Sequence, residues 1–172
     1  MSATNYTIGH GRRPVEELVE CLRAAGIRTL VDVRRFPGSR RNPQFNQGPL
    51  AESLERAGIA YRHAVDLGGR RSGEPSEERF ACIGQFASYV ARMAADEWQR
   101  ALEDAVSEPA PALMCAETAW QRCHRRWISE LLTARGQQVV HLIRPHELEP
   151  HRLHQDSEVR DARLYVCGNL VA

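Results

Sequence analysis

Two short apolar segments near the start of the chain are separated by a segment of helical length, and this spacing strongly constrains the fold. Tyr6–Ile8 and Thr29–Val33 have the length and composition of strands. Pro14 suits the first turn of a helix between them, and Gly26 suits its end. The pattern predicts a βαβ unit, with parallel strands and a right-handed crossover. Because open α/β sheets bind ligands at the carboxyl ends of their strands, we expect a site at that edge.

Similar segments continue along the chain. Further strands are predicted at Ile59–Val65, Ala112–Met114 and Gln138–Ile143, with Leu164–Cys167 as an edge strand. Helices are predicted at Pro49–Ala57, from Glu77 to Met93 and from Asp96 to Val106. We therefore predict a single domain over residues 1–172, a three-layer α/β sandwich with a mostly parallel sheet of about five strands. The tail from about residue 145 is expected to be less regular.

The segment Pro111–Leu132 brings a thiol to the end of a predicted strand. Cys115 follows the apolar run, and Thr118 with Gln121 matches a capping box that would start a helix at Thr118. Free backbone N–H groups and the helix dipole at such a junction favour a thiolate. The helix would carry four apolar residues on one face: Trp120, Cys123, Trp127 and Leu131.

Five residues near this junction are candidates for catalysis. Cys115 is the candidate nucleophile, and Glu117 or His124 the candidate acid or base. His10 and Asp32 follow or end the first two parallel strands, so they are predicted at the same edge of the sheet. The alternative for Cys115 is a small buried residue of the core without a chemical role.

Two irregular loops supply candidate substrate-binding residues. The loop from Arg34 to Asn46 contains turn signals and arginines interleaved with phenylalanines, which suits a phosphate or a base. A second loop contains Gly68-Gly69-Arg70-Arg71, where glycines permit close approach of a ligand. The candidates are Arg34, Arg40, Arg41, Asn42, Phe45, Asn46, Arg70 and Arg125. The alternative for the first loop is a solvated segment held by its two phenylalanines.

Composition excludes some chemistry. All 23 basic residues are arginine, so Schiff-base formation on lysine and a P-loop lysine are excluded. The net charge of +1 is low for a general binder of nucleic acid. Five widely spaced cysteines do not suggest a disulfide framework. With no signal peptide pattern and no long apolar run, we expect a cytoplasmic protein without membrane contact.

The C-terminal histidines raise the question of a metal. His146, His151 and His154 are predicted to be surface residues, because Pro150 interrupts any helix that would align them. A site at Cys115, Cys123 and His124 is a weaker alternative, since the spacing of the cysteines is unlike C-x-x-C. We expect no cofactor.

Several motifs together resemble one family. They are C-A-E at Cys115–Glu117, C-H-R at Cys123–Arg125, T-I-G-H at Thr7–His10, L-G-G-R-R at Leu67–Arg71 and the run from Val31 to Asn46. This set is similar to domain-of-unknown-function family 488, which implies a compact α/β domain and no particular activity. The order of D-V-R and the later cysteine is also similar to rhodanese-type thiol domains, but the residues after Cys115 do not form a glycine-rich cradle.

Two hypotheses of function follow from the sequence. The first is a thiol-dependent enzyme that acts on an anionic substrate containing phosphate, a nucleotide or sulfur. The second is a non-catalytic module that binds a nucleotide or nucleic acid through the arginine loop, with Cys115 and Cys123 as structural residues. A metal-binding protein is the third and weaker hypothesis. The oligomeric state does not follow from the sequence.

Overall fold

The computed structural model describes residues 4–69 and 77–172 and has an α/β architecture. The α-helices are α1 (Val15–Ala24), α2 (Gln47–Arg56), α3 (Ala87–Arg92), α4 (Asp96–Ser107) and α5 (Arg125–Ala134). The first strands are β1 (Thr4–Gly9), β2 (Thr29–Asp32), β3 (Ala60–His63), β4 (Pro111–Cys115) and β5 (Gln138–Arg144). The remaining strands are β6 (Glu147–Pro150), β7 (Ser157–Arg160), β8 (Arg163–Val166) and β9 (Asn169–Leu170).

The main sheet has six strands in the order β3-β2-β4-β1-β5-β6. The first five are parallel and β6 pairs with β5 in the antiparallel direction. This confirms the predicted mostly parallel sheet. The strand β6 was not predicted because its sequence, E-L-E-P, is largely exposed and has no apolar face, as edge strands often lack one.

Alternate residues of the central strands enter two cores on opposite faces of the sheet. Leu30 and Met114 pack with helices α1 and α2, whereas Leu113 and Cys115 pack on the other face with α4 and α5. This period of two is the pattern of strands buried on both sides, and it gives the predicted three-layer sandwich. It also fixes the direction of the Cys115 thiol, toward α5.

The helix predicted to begin at Thr118 begins at Arg125 instead. Trp120–Arg122 is a short 3-10 turn, Cys123 is extended, and no side chain caps either element by a hydrogen bond. The Trp120 ring stacks on His141 at 4.2 Å, and its Nε1 donates to Glu149. These contacts with β5 and β6 outweigh the local capping signal, so the prediction of a capping box was wrong.

Two further segments differ from the prediction. The region Glu78–Phe86 is a 3-10 segment interrupted at Phe80 and Gly84, and α-helix resumes only at Ala87. The strand predicted near Leu164 is β8, but it belongs to a separate three-stranded sheet, β7-β8-β9, rather than to the edge of the main sheet. Leu164 and Val166 of this small sheet are buried against the α5 side.

Cys82 and Cys167 form a disulfide that joins the 3-10 segment to the turn after β8. The expectation that the cysteines form no disulfide was therefore wrong for this pair. The two residues are 85 positions apart, with Cα atoms 6.1 Å from each other, so spacing along the chain gave no signal for the bond. Among the described residues, no helix has the length and apolar content needed to cross a bilayer.

Candidate active site

Two thiols meet at the carboxyl edge of the sheet. Cys115 ends β4, and Cys123 is the extended residue just before α5. Their Sγ atoms are 2.8 Å apart, and the residues are 1% and 5% exposed. From the sequence, Cys123 was interpreted as a structural residue on the apolar face of a helix or, in the weaker alternative, as a metal ligand. The pair forms because the chain turns back between them.

Two glycines allow this turn to lie across the end of β1. A side chain at Gly9 would overlap the backbone of Glu117, and one at Gly11 would overlap the hydroxyl of Thr118. The backbone N–H groups of His10 and Gly11 donate to the carbonyls of Cys115 and Ala116, both at 3.0 Å. The T-I-G-H-G segment therefore holds the loop after Cys115 in place.

Arg125 lies behind the thiols and is 1% exposed. Its Nη2 donates to the carbonyls of Glu117 and Thr118, at 3.1 and 2.8 Å. Its Nε and Nη1 are buried without a hydrogen-bond partner among the described residues, and it has no carboxylate partner there. Arg125 was predicted to bind substrate, but it does not line the cavity at this site. Its guanidinium instead supplies a buried positive charge beside the thiols.

This environment separates the acidity of the two thiols. Burial raises the pKa of Cys115, but the hydrogen bond from Cys123 and the charge of Arg125 outweigh it and bring the pKa to about 7. Burial and the neighbouring Cys115 raise the pKa of Cys123 well above its ordinary value. Above about pH 7 the pair is thus arranged to hold one proton, with Cys123 donating to a Cys115 thiolate.

His124 is oriented as a neutral base toward Cys123. Its Nε2 lies 3.0 Å from the carbonyl of Val33, which assigns the proton to Nε2, and its Nδ1 is 3.6 Å from the Cys123 sulfur. Burial lowers the pKa of His124 to about 4, with the charges of Arg125 and Arg92 acting in the same direction. Gly69 touches the ring, where a side chain would collide with it.

The thiols open into a cavity of about 660 Å³. Phe36, Phe86 and Tyr89 form apolar parts of its wall. Its charged lining residues are Arg34, Arg35, Glu117 and Arg122. Glu117 and Arg122 are exposed, so they lie where the cavity meets solvent. Both Phe86 and Tyr89 lie within the segment from Glu77 to Met93, for which the sequence predicted a helix and no role at the site.

Arg34 is buried and neutralised by Asp32. Its Nε and Nη2 bind the two carboxylate oxygens of Asp32 at 2.8 and 2.5 Å, and its Nη2 also donates to the carbonyl of Phe45. Its Nη1 donates to His10 Nε2 at 3.2 Å. The hydroxyl of Tyr61 donates to Asp32 at 2.8 Å. Tyr61 was not predicted as a site residue. The only indication of its position in the sequence was the alternation of side chains along β3.

The structure therefore brings His10, Asp32, Arg34 and Cys115 to the same edge of the sheet, as the strand pattern predicts. Of these, Arg34 and Cys115 line the cavity, whereas His10 and Asp32 lie behind it. His10 stacks on Phe45 at 4.3 Å, and burial lowers its pKa to about 4. The geometry gives His10 and Asp32 the role of holding Arg34 and the following loop.

The arginine loop after Phe36 lies outside the cavity wall. Phe45 is buried, and Asn46 accepts a hydrogen bond from the Ser39 backbone at 2.6 Å, so both shape the loop. Asn42 is half-buried, and its backbone donates to Ser39. Arg40 and Arg41 are exposed and form no ion pair with another described residue. Arg70 was also predicted to bind substrate and lies outside the described residues.

A second polar network is buried between β1, β5 and α5. His141 Nδ1 lies 2.6 Å from the hydroxyl of Thr7, and His141 Nε2 lies 3.0 Å from His151 Nδ1. His151 Nε2 is 3.5 Å from the carboxylate of Glu130. The prediction of a surface position was therefore wrong for His151, whose side chain is 1% exposed. Within residues 4–69 and 77–172 no group of three candidate ligands is placed to hold a metal.

Comparison with known proteins gives one match. The family model described as "Domain of unknown function DUF488" matches residues 14–132, which include the arginine loop, both thiols and most of α5. No curated protein and no solved structure matches the chain significantly. Because the match covers well over half of the sequence, the chain belongs to the DUF488 family.

Proposed function

We propose that this protein is a thiol-dependent enzyme in which Cys115 attacks an anionic substrate bound in the cavity. The observation that carries the proposal is the 2.8 Å contact between the Cys115 and Cys123 sulfurs on the floor of that cavity. A nucleophilic cysteine has to be deprotonated near neutral pH, and a shared proton beside a buried guanidinium favours this state.

The surrounding groups support this chemistry. The Cys115 thiolate would form a bond to an electrophilic atom of the substrate, and the leaving group would depart with the electron pair of the broken bond. Cys123 can donate its proton to that leaving group, since it already donates toward Cys115. His124 Nδ1 faces Cys123 and can accept a hydrogen bond from its thiol once Cys115 has bonded to the substrate, while burial keeps the imidazole neutral.

The cavity also suits a substrate with both anionic and apolar parts. Arg35 and Arg122 line it without ion-pair partners among the described residues, and only Glu117 opposes them. Arg34 contributes donors rather than net charge, because Asp32 neutralises it. Phe36, Phe86 and Tyr89 provide apolar surface for the remainder of the substrate.

Selective alkylation tests the nucleophile. With a pKa of about 7, a substantial fraction of Cys115 is thiolate at pH 7, against a few per cent of an unperturbed thiol. We expect iodoacetamide to label Cys115 about tenfold faster than Cys21 at pH 7, as read by peptide mass spectrometry. Cys21 is the internal control, since it is a free buried cysteine whose pKa is raised by burial.

Two replacements of Cys123 separate its hydrogen bond from its bulk. Cys123→Ser keeps a donor to Cys115, whereas Cys123→Ala removes it. The midpoint of the pH dependence of Cys115 labelling should therefore lie at a higher pH in the alanine variant. Glu117→Gln should lower the midpoint, because the Glu117 charge raises the pKa of Cys115. Equal labelling of Cys115 and Cys21 in the native protein would contradict the assignment of Cys115 as nucleophile.

A binding module for nucleotides or nucleic acid is the second candidate. It is favoured by the exposed Arg40 and Arg41 and by Phe36, which is 75% exposed on the same loop and free to stack on a base. In this case the arginine loop would be the functional surface and the thiols would be structural.

Salt dependence tests this candidate. If Arg40 and Arg41 contact phosphates, the double variant Arg40→Ala/Arg41→Ala should bind a single-stranded RNA oligomer more weakly. The slope of log K against log salt should also fall by about 1.4, at about 0.7 per phosphate contact. The control is Arg152→Ala/Arg163→Ala, which removes the same charge from exposed positions elsewhere. Equal effects of the two double variants would mean that the loop acts only through net charge.

A further inference from the structure

We propose that Cys115 and Cys123 form a reversible dithiol–disulfide couple whose substrate is a small anionic thiol or its disulfide. This inference rests on the proposed function, because Cys115 is again the nucleophile. It goes further by giving Cys123 a covalent role and by naming the class of substrate.

The sulfur atoms of Cys115 and Cys123 are already close to the separation of a disulfide bond. A disulfide has a sulfur–sulfur distance of about 2.05 Å, and the two Sγ atoms are already 2.8 Å apart. Both sulfurs line the same cavity, so a mixed disulfide with a small thiol can form there. The Cys82–Cys167 disulfide is a separate pair, and neither of its sulfurs contacts Cys115 or Cys123 in a hydrogen bond.

The charges around the pair determine which state is favoured. In the reduced state a shared thiolate is available as a counterion for the buried Arg125. In the disulfide the pair carries no charge, and Arg125 is left without an anionic partner among the described residues. A buried charge without a partner is unfavourable. We therefore infer that the reduced state is stabilised and that the disulfide is comparatively oxidising, as in other couples whose reduced form is stabilised.

The exchange balances without any further reactant. A substrate thiol first loses its proton, and the resulting thiolate attacks Cys115 Sγ of the protein disulfide. Cys123 leaves with the electron pair and takes up that proton. A second substrate thiolate attacks the substrate sulfur of the mixed disulfide, and Cys115 leaves as a thiolate. Two thiols become one disulfide, the protein becomes a Cys123 thiol and a Cys115 thiolate, and one proton is released. The low pKa of Cys115 makes it a good leaving group.

The reverse direction starts from the reduced protein. The Cys115 thiolate attacks a small disulfide, one thiolate leaves, and Cys123 then resolves the mixed disulfide by attacking Cys115. Removing Cys123 should therefore stop the reaction halfway. With oxidised glutathione as the probe, Cys123→Ser should accumulate glutathione on Cys115, and Cys115→Ser should not accumulate it on Cys123.

Equilibration of the full chain in glutathione redox buffers tests the couple. After acid quenching and alkylation, mass spectrometry should show a reversible transition between the dithiol and the Cys115–Cys123 disulfide. Arg125→Met should favour the disulfide by about tenfold in the equilibrium constant, which corresponds to about 30 mV. Arg125→Lys should have a smaller effect, because it retains the charge. Glu117→Gln, at an exposed position, should shift the equilibrium toward the dithiol.

The same samples contain their own control. The Cys82–Cys167 disulfide should respond to the buffer but not to Arg125→Met or Glu117→Gln, so a parallel shift of both pairs would overturn the electrostatic argument. Absence of a Cys115–Cys123 disulfide in excess oxidised glutathione would overturn the couple itself. Fast alkylation of Cys115 in that case would still support Cys115 as the nucleophile. The two experiments therefore test the couple and the proposed function independently.

Discussion

Asp32→Asn should lower the free energy of unfolding by about 3–5 kcal/mol, the usual effect of removing one partner of a buried ion pair. Asp32 is fully buried and accepts from Nε and Nη2 of the Arg34 guanidinium, from the Arg34 backbone and from the Tyr61 hydroxyl. Asparagine fills the same space but leaves the Arg34 charge buried without a counterion. The measurement is urea denaturation of the variant and the native protein at pH 7.

A matched surface pair provides the control. Glu158 and Arg160 also form a close two-point contact, but both side chains are more than half exposed. Glu158→Gln should therefore change the stability by less than about 1 kcal/mol. Replacing both buried partners, as Asp32→Leu/Arg34→Met, should recover much of the loss, because no charge then remains unpaired. A stability loss in Asp32→Asn no larger than in Glu158→Gln would show that the buried pair does not stabilise the fold.

The fold was predicted from sequence where a local pattern determines the structure. The apolar strands and the βαβ spacing were sufficient to place His10, Asp32, Arg34 and Cys115 at one edge of the sheet. Parallel strands are buried on both faces, so their apolar runs are plain in the sequence. The chirality of the crossover then leaves little freedom in how they are arranged.

The parts that were missed depend on contacts between distant segments. The capping signal at Thr118 was overridden by the stacking of Trp120 on His141, which comes from a strand that follows the helix. The dithiol of Cys115 and Cys123 depends on the later start of this helix. A helix starting at Thr118 would have included Cys123 among its own residues. Strands β6 and β7 have too little apolar alternation to be recognised from sequence. Strand β8 was predicted, but its place in a separate sheet was not.

Acid should destabilise the protein steeply below about pH 6.5, because two fully buried histidines are neutral in the folded state. Burial lowers the pKa of His10 to about 4 and that of His141 to about 2. The unfolded chain, with an ordinary histidine pKa of about 6.5, then binds more protons than the folded chain between pH 6.5 and 4. Stability therefore falls as the pH falls. His124 adds a third group of the same sign, since burial lowers its pKa to about 4 as well.

The expected slope can be stated for these three residues. Each histidine that is protonated only in the unfolded state lowers the stability by about 1.4 kcal/mol per pH unit, so three give about 4 kcal/mol per unit near pH 5. Urea denaturation at intervals between pH 7 and 4.5 measures this slope. His141→Gln removes one of the three titrating groups and should reduce the slope by about a third, whatever its effect on stability at pH 7. His146→Gln, at an exposed position, should leave the slope unchanged. Equal slopes in the native protein and His141→Gln would mean that His141 is not held neutral by its burial against Trp120.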